Sequence, residues 1–212
     1  MNEVRRKLLA ATLAHVPFDG WSERAIRAGA GDVGVDRVTA RRAFPGGIAD
    51  VLALWSAEGD RRMLEELERR DLASMRVRER LATAVRLRLE RDRDHREALR
   101  LALAHAALPS NAPQAMRALW RTVDAMWRAA GDEATDFNFY TKRGLLAAVY
   151  ASTLLYWLED GSEGSAATWA FLDRRIADAM RLPKVIGRLR KFVPEPGRLR
   201  RRTRSRRAAP GV

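Results

Sequence analysis

The sequence predicts an all-α protein of about nine or ten helices, on three observations. Apolar residues recur at three- and four-residue spacing through segment after segment between Val4 and Val193. Clusters of Gly, Pro, Ser and Asn punctuate that periodicity, and residues suited to helix caps stand at the starts of the intervals, Ser22, Asp36 and Asn111 among them. With 212 residues, 47% of them hydrophobic, the chain can bury a sizeable core. The expected organisation is a three-helix module over 1–47, a larger helical domain over 48–181, a basic amphipathic helix over 182–193 and a disordered arginine-rich tail over 194–212.

The first helix is expected over residues 3–16, with Val4, Leu8, Leu9, Leu13 and Val16 as its apolar stripe and Pro17 as its stop. Ser22 caps the second, and Trp21 can pack on Ile26 as a hydrophobic staple. Gly29 and Gly31 are expected to end it. Val35 and Asp36 repeat the staple and cap for a short third helix reaching about Phe44. Three short helices with a glycine-containing turn before the third have the form of a helix-turn-helix. Arg37, Thr39, Arg41 and Arg42 could reach phosphates, but no amide side chain is present to read an adenine edge, so DNA is not the expected partner.

Pro45-Gly46-Gly47 precedes a long helix from Ile48 to about Arg70, with Leu52, Trp55, Met63, Leu64 and Leu67 inward. Segments Arg76 to Arg91 and His95 to Ala107 follow, with their charges expected on the solvent side. Asn111 caps a helix running to Ala130 that carries Met116, Leu119, Trp120, Val123, Met126 and Trp127 at i, i+3, i+4 spacing. Gly131 suits the left-handed position after that helix, and Thr135 or Asp136 can cap the next. Tyr140 to Leu158 is apolar on nearly every side, as expected of a central or partner-facing helix. Asp160-Gly161-Ser162 turns the chain, Ser165 can cap, and Trp169, Leu172, Ile176 and Met180 line a further helix.

Much chemistry is excluded. There is no cysteine for a disulfide or a thiolate ligand, and His15, His95 and His105 lack paired metal-ligand spacing. Asp92 to His95 is half of a di-iron motif on what reads as a solvated loop. Neither a nucleophile elbow nor a phosphate-binding glycine loop occurs. No metal, cofactor or enzymatic activity is expected. The net charge of +13 is concentrated at the end, where eleven Lys and Arg from Lys184 onward face Glu195 alone. An apolar stripe of Leu182, Val185, Ile186, Leu189 and Phe192 beside Lys184, Arg188 and Lys191 reads as an element that lies on an anionic membrane surface. No apolar run is long enough to span a membrane and no secretory pattern opens the chain, so the expectation is a cytoplasmic protein, peripheral on the inner face of the cytoplasmic membrane.

Several strings occur together in a recognisable order: His15 to Ser22, Ala43-Phe44-Pro45-Gly46-Gly47, Asp60-Arg61-Arg62-Met63, Leu119 to Asp124, Ala130-Gly131-Asp132, Thr135 to Arg143, and Thr168 to Ile176. Over about residues 3–182 the chain resembles the ubiquinone-biosynthesis accessory family called coenzyme Q biosynthesis protein nine, in its alphaproteobacterial form. That resemblance implies a tetracycline-repressor-like fold turned from DNA regulation to lipid binding, usually as a homodimer, which supports the di-iron hydroxylase acting on demethoxyubiquinone. It implies a partner patch of Asp124, Met126, Asn138, Phe139, Tyr140 and Arg143, of which Phe139, Tyr140 and Arg143 are expected to form an exposed aromatic and cationic face. The isoprenoid or quinone ligand is expected among Met116, Trp120, Val123, Leu146, Val149 and Tyr150, residues that would equally serve as plain core. A lipid-sensing transcription regulator of the same fold is the alternative.

Overall fold

The computed structural model describes residues 1–132 and 137–190, with the backbone alone for Phe137, Asn138 and 182–190. Helices α1 (Asn2–Asp19), α2 (Glu23–Asp32) and α3 (Arg37–Ala43) form the N-terminal module. They are followed by α4 (Ile48–Glu68), α5 (Val77–Glu90), α6 (Arg96–Ala106), α7 (Ala112–Ala129), α8 (Phe137–Glu159) and α9 (Ala166–Arg190). Single 3-10 turns occur at Arg93–His95 and Glu163–Ser165, and no strand occurs among the described residues. The fold class is the expected one.

Local signals explain most boundaries. The Ser22 hydroxyl accepts from Ala25 N–H at 3.2 Å, and Trp21 and Ile26 are both buried, as a staple requires. The Asp36 carboxylate accepts from Val38 and Thr39 N–H, each at 2.9 Å. After α7, Gly131 takes φ 88° and donates to Arg128 C=O, while Asp132 N–H reaches Trp127 C=O, the paired bonds of a Schellman end.

Four expectations fail locally, each for a physical reason. Pro17 lies inside α1, because a proline in the last turn forfeits one helix bond and the chain then ends at Gly20, φ 65°, whose N–H reaches Val16 C=O at 2.8 Å. Gly29 and Gly31 do not end α2. Gly29 is instead where α2 presses on α1: a Cβ there would lie 2.6 Å from the Thr12 nitrogen, whereas one at Gly31 would meet open space. Ser165 does not cap α9; Ser162 Oγ accepts from Ala167 N–H and Asp160 from Thr168 N–H. Finally, α9 runs unbroken past Leu182 to Arg190, so the expected basic helix begins inside it.

Burial separates two cores, and α4 belongs to both. Val51 and Trp55 pack with α1, α2, α3 and Ala98 of α6, whereas Met63 and Leu67 pack with α5, α7, α8 and α9. Trp21 Nε1–H donates to Ala98 C=O at 2.9 Å and ties the module to α6. Replacing Gly29 with Ala should therefore destabilise the fold by about 1–3 kcal/mol through overpacking. The same change at Gly31 should be neutral or stabilising by about 0.5–1 kcal/mol. Urea denaturation of both variants checks the pair, and equal midpoints would contradict the close α1–α2 contact.

Candidate functional site

Two pockets back onto the same turn of α8. One, of about 450 Å³, opens between α4, α5, α6, α7 and α8, with Leu52, Leu99, Leu103, Leu119 and Leu154 among its apolar walls. The other, of about 380 Å³, lies between α5, the end of α7, α8 and α9, and is lined by Leu81, Trp127, Leu145, Leu146, Val149, Ile176 and Met180, with Asp132 and Lys142 at its edge.

The larger pocket has a polar end built from residues far apart in sequence. Arg88 of α5 donates to Asp60 Oδ1 of α4 at 3.2 Å and to Asp92 Oδ2 at 2.7 Å. From α7, Thr122 Oγ1–H donates to Asp60 Oδ1 at 2.8 Å and Arg121 Nε–H to Asp60 Oδ2 at 3.1 Å. Arg88, Asp60, Asp92 and Thr122 are all buried. Burial works against the Arg88 charge, but the carboxylates of Asp92 and Asp60 outweigh it and hold the guanidinium protonated well above its usual range. The charges of α5 were expected on the solvent side, where Arg78, Glu79 and Arg86 do lie, and Asp92 on a solvated loop; Arg88 and Asp92 are corrected, because each of these ions replaces water with an opposite charge. The available signal was Gly59 in mid-helix, where a Cβ would lie 2.5 Å from Arg88 Cζ.

The six lipid-lining candidates are not one surface. Met116, 59% exposed, and Tyr150 line the larger pocket. Leu146 and Val149 line the smaller one. Val123 is fully buried core between them. Trp120 lines neither; it stacks on Tyr140, with ring centroids 6.1 Å apart, and Phe139 meets Tyr140 edge-on at 5.1 Å.

This aromatic group belongs to the α7–α8 corner. Tyr140 is 64% exposed there, as expected of a contact face, but Arg143 is 1% exposed and Met126 is fully buried. An exposed cationic patch is thus corrected to a buried ion network beneath exposed aromatics. Arg143 Nε–H donates to Asp124 at 2.6 Å, its Nη1–H donates to Asp132 at 3.1 Å, and its guanidinium lies 3.4 Å from the Phe139 ring centroid. The reason is geometric: the Schellman end turns Asp132 back toward α8, and Asp132 and Asp124 together draw the guanidinium inward. Lys142 Nζ–H donates to the other Asp132 oxygen at 2.6 Å. The Asn138 side chain, the proposed caps Thr135 and Asp136, and the side chains of Leu182, Lys184, Val185, Ile186, Arg188 and Leu189 lie outside the described residues, as do Lys191 and Phe192 entirely. Among the described residues no group of side chains suits a metal ion and no helix is long and apolar enough to cross a membrane.

Burial pushes the Asp132 carboxyl up, but hydrogen bonds from Lys142 and Arg143 and their charges win, leaving it below the usual carboxylate range. A depressed folded value means that the stabilisation is present above the unfolded pKa of 3.8 and is lost as pH falls through the folded one. Arg143→Met should lower stability by about 1–3 kcal/mol at neutral pH, since Asp124 and Asp132 lose their shared guanidinium and keep only Arg128 and Lys142. Asp132→Asn should flatten the acid limb of stability below about pH 4. Thermal melts of both variants across pH test this; an unaltered acid limb in Asp132→Asn would remove Asp132 from the network.

Comparison with known proteins places this geometry. The COQ9 family model matches residues 112–183, the span of α7, α8 and most of α9. The chain is 36% identical over 188 residues to the mitochondrial ubiquinone biosynthesis protein COQ9 of Homo sapiens, covering 85% of this chain and 58% of that protein. It is 33% identical over 190 residues to the corresponding protein of Drosophila melanogaster, covering 88% of this chain and 58% of that one. The chain thus spans about three fifths of the length of the curated relatives it matches. The crystal structure of a TetR transcriptional regulator from Nitrosomonas europaea superposes with a TM-score of 0.70 at 21% identity, covering 84% of this chain and 98% of that one, and so shares the fold. By its sequence similarity to these relatives and to the family model, the chain belongs to the COQ9 family.

Proposed function

We propose that the chain is a non-catalytic accessory protein of ubiquinone biosynthesis that holds an isoprenoid or quinone intermediate and presents it, at the membrane surface, to a di-iron hydroxylase. The observation that carries this is the larger pocket: about 450 Å³, walled by leucine, alanine and methionine side chains, with a fixed polar end. That is the shape a prenylated ring requires, an apolar path for the tail and hydrogen-bonding groups for the head. The relatives' names as ubiquinone biosynthesis proteins supply the pathway.

The partner is proposed to dock on the α7–α8 corner, where Tyr140 is exposed over its stacked Trp120 and Phe139. Asp124, Met126 and Arg143 then act from below, positioning the corner rather than touching the hydroxylase. On α8 and α9, exposed Leu155 and the Tyr156–Phe171 stack, 4.8 Å between centroids, form the apolar face proposed for a second copy in a homodimer. The basic stripe from Leu182 is proposed to hold the assembly on anionic lipid at the inner face of the cytoplasmic membrane.

The likeness to a TetR regulator favours a second reading, a lipid-sensing repressor. Against it, Thr39 of α3 has its hydroxyl committed to Asp36 at 2.6 Å, which removes one of the few uncharged polar groups that the helix could offer to a base edge. Steeply salt-dependent binding to its own upstream DNA would support the regulator.

Native mass spectrometry of the purified protein should show a bound isoprenoid or quinone, and Ala118→Trp, which fills the larger pocket, should remove it; a fold that is empty in both forms would sink the lipid assignment. Replacing Lys184, Arg188 and Lys191 together by Glu should abolish flotation with phosphatidylglycerol-containing vesicles while leaving the melting temperature unchanged. Undiminished flotation would remove the membrane assignment.

A further inference from the structure

Most buried polar groups in this fold are satisfied, so those that are not are informative where they border a cavity. Trp55 Nε1–H is one: it is shielded from solvent and has no hydrogen-bond partner, and Trp55 lines the larger pocket from α4. Tyr150 lines the same pocket from α8 and is 8% exposed, and its phenol is a second donor there. Its neighbours Arg88 and Asp92 are occupied with each other. The buried Trp157 indole N–H is also unpartnered, but it borders no described pocket and lies under the Arg96 guanidinium, 4.2 Å from the ring centroid.

We infer that Trp55 and Tyr150 are the specificity-determining residues of the pocket, donating hydrogen bonds from its α4 and α8 walls to the ring oxygens of a prenylated quinone or phenol. This rests on the reading of that pocket as the lipid site. The Trp55 donor otherwise carries the desolvation penalty of an unmade bond, and a ligand oxygen relieves it. Donors on different walls suit a ring with oxygens at more than one position.

At the polar end Arg88, Arg91 and Arg121 hold the carboxylates of Asp60 and Asp92, so both carboxylates are engaged and acceptor oxygens on a head group suit the site. Burial raises the Tyr150 phenol; Arg88 opposes this and Asp92 and Asp60 reinforce it, so the hydroxyl keeps its proton and remains a donor.

The test uses the full chain and two probes in equilibrium dialysis, a decyl-substituted 1,4-benzoquinone and decylbenzene, which keeps ring and tail but lacks the oxygens. Wild type should bind the quinone more tightly. Tyr150→Phe and Trp55→Phe should each weaken quinone binding about fivefold or more and leave decylbenzene binding unchanged, the loss expected for one hydrogen bond. Both variants keep their ring packing, and circular dichroism confirms that they fold. Equal weakening of both probes, or none, would overturn the inference. Ala118→Trp separates this from the underlying reading: if it abolishes binding of both probes while the two Phe variants show no selectivity, the pocket stands and ring recognition falls. If wild type binds neither probe, or Ala118→Trp leaves both bound, both fall.

Discussion

The buried Arg88 is the constraint around which the larger domain is arranged. Its side chain is 8% exposed, and its partners Asp60 and Asp92 are 8% and 2% exposed, so three ions have left water together. An ion in this position is tolerated only when opposite charge and hydrogen bonds replace its hydration, and removing one partner leaves a charge stranded. The replacement comes from three helices: α5 provides the arginine, α4 provides Asp60, and α7 adds Thr122 and Arg121. Because α4 must come close enough for Asp60 to be reached, the preceding residue has no room for a side chain, and glycine stands there. The same network is the polar end of the larger pocket, so the requirement that packs α4, α5 and α7 also fixes where that pocket is polar.

A second buried arginine does the corresponding work at the α7–α8 corner. Arg143 joins Asp124 on α7 to Asp132 in the connection and has Phe139 against its face. Arg80 of α5 adds a bond to Ala130 C=O, securing the end of α7 from a third helix. With its backbone held at that many points, the corner can carry Tyr140 in the open without collapsing the ring onto the core. Rigidity below and exposure above are what a contact surface needs if binding is not to require reordering first.

Helix positions, the caps at Ser22 and Asp36, and the glycine stop at Gly131 were legible in the sequence because each depends on residues within one turn. The burial of Arg88 and Arg143 was not. On a helical wheel a charge reads as a solvent face, and the carboxylates that reverse this lie 28 and 19 residues away, on other helices. Gly29 was misread for a related reason: a glycine that ends a helix and one that admits a neighbouring backbone look alike until α1 is in place. Spacing made α8 a helix that is central or faces a partner but did not divide it, and so Leu146 and Val149 were grouped with Tyr150 although they line a different pocket. The family resemblance came from short strings rather than periodicity, and it did not show which of the corner's residues are buried.

That division of α8 bears on how a long tail would be held under the proposed function. Neighbouring residues Val149 and Tyr150 border different pockets, with the buried Val123 and Met126 of α7 packed in the same core. A ring anchored near Tyr150 and Trp55 has its head at the polar end, and the exposed Met116 lies at the rim of the same pocket, on the side from which a tail can leave. The smaller pocket is bordered instead by Lys142 and Asp132 of the corner and by Ile176 and Met180 of α9. On the proposed function, holding and handing over would fall on opposite sides of one helix. Any transfer between them has to displace apolar side chains, which are soft obstacles, and not the ion networks of Arg88 and Arg143, which keep the helices in place while it happens.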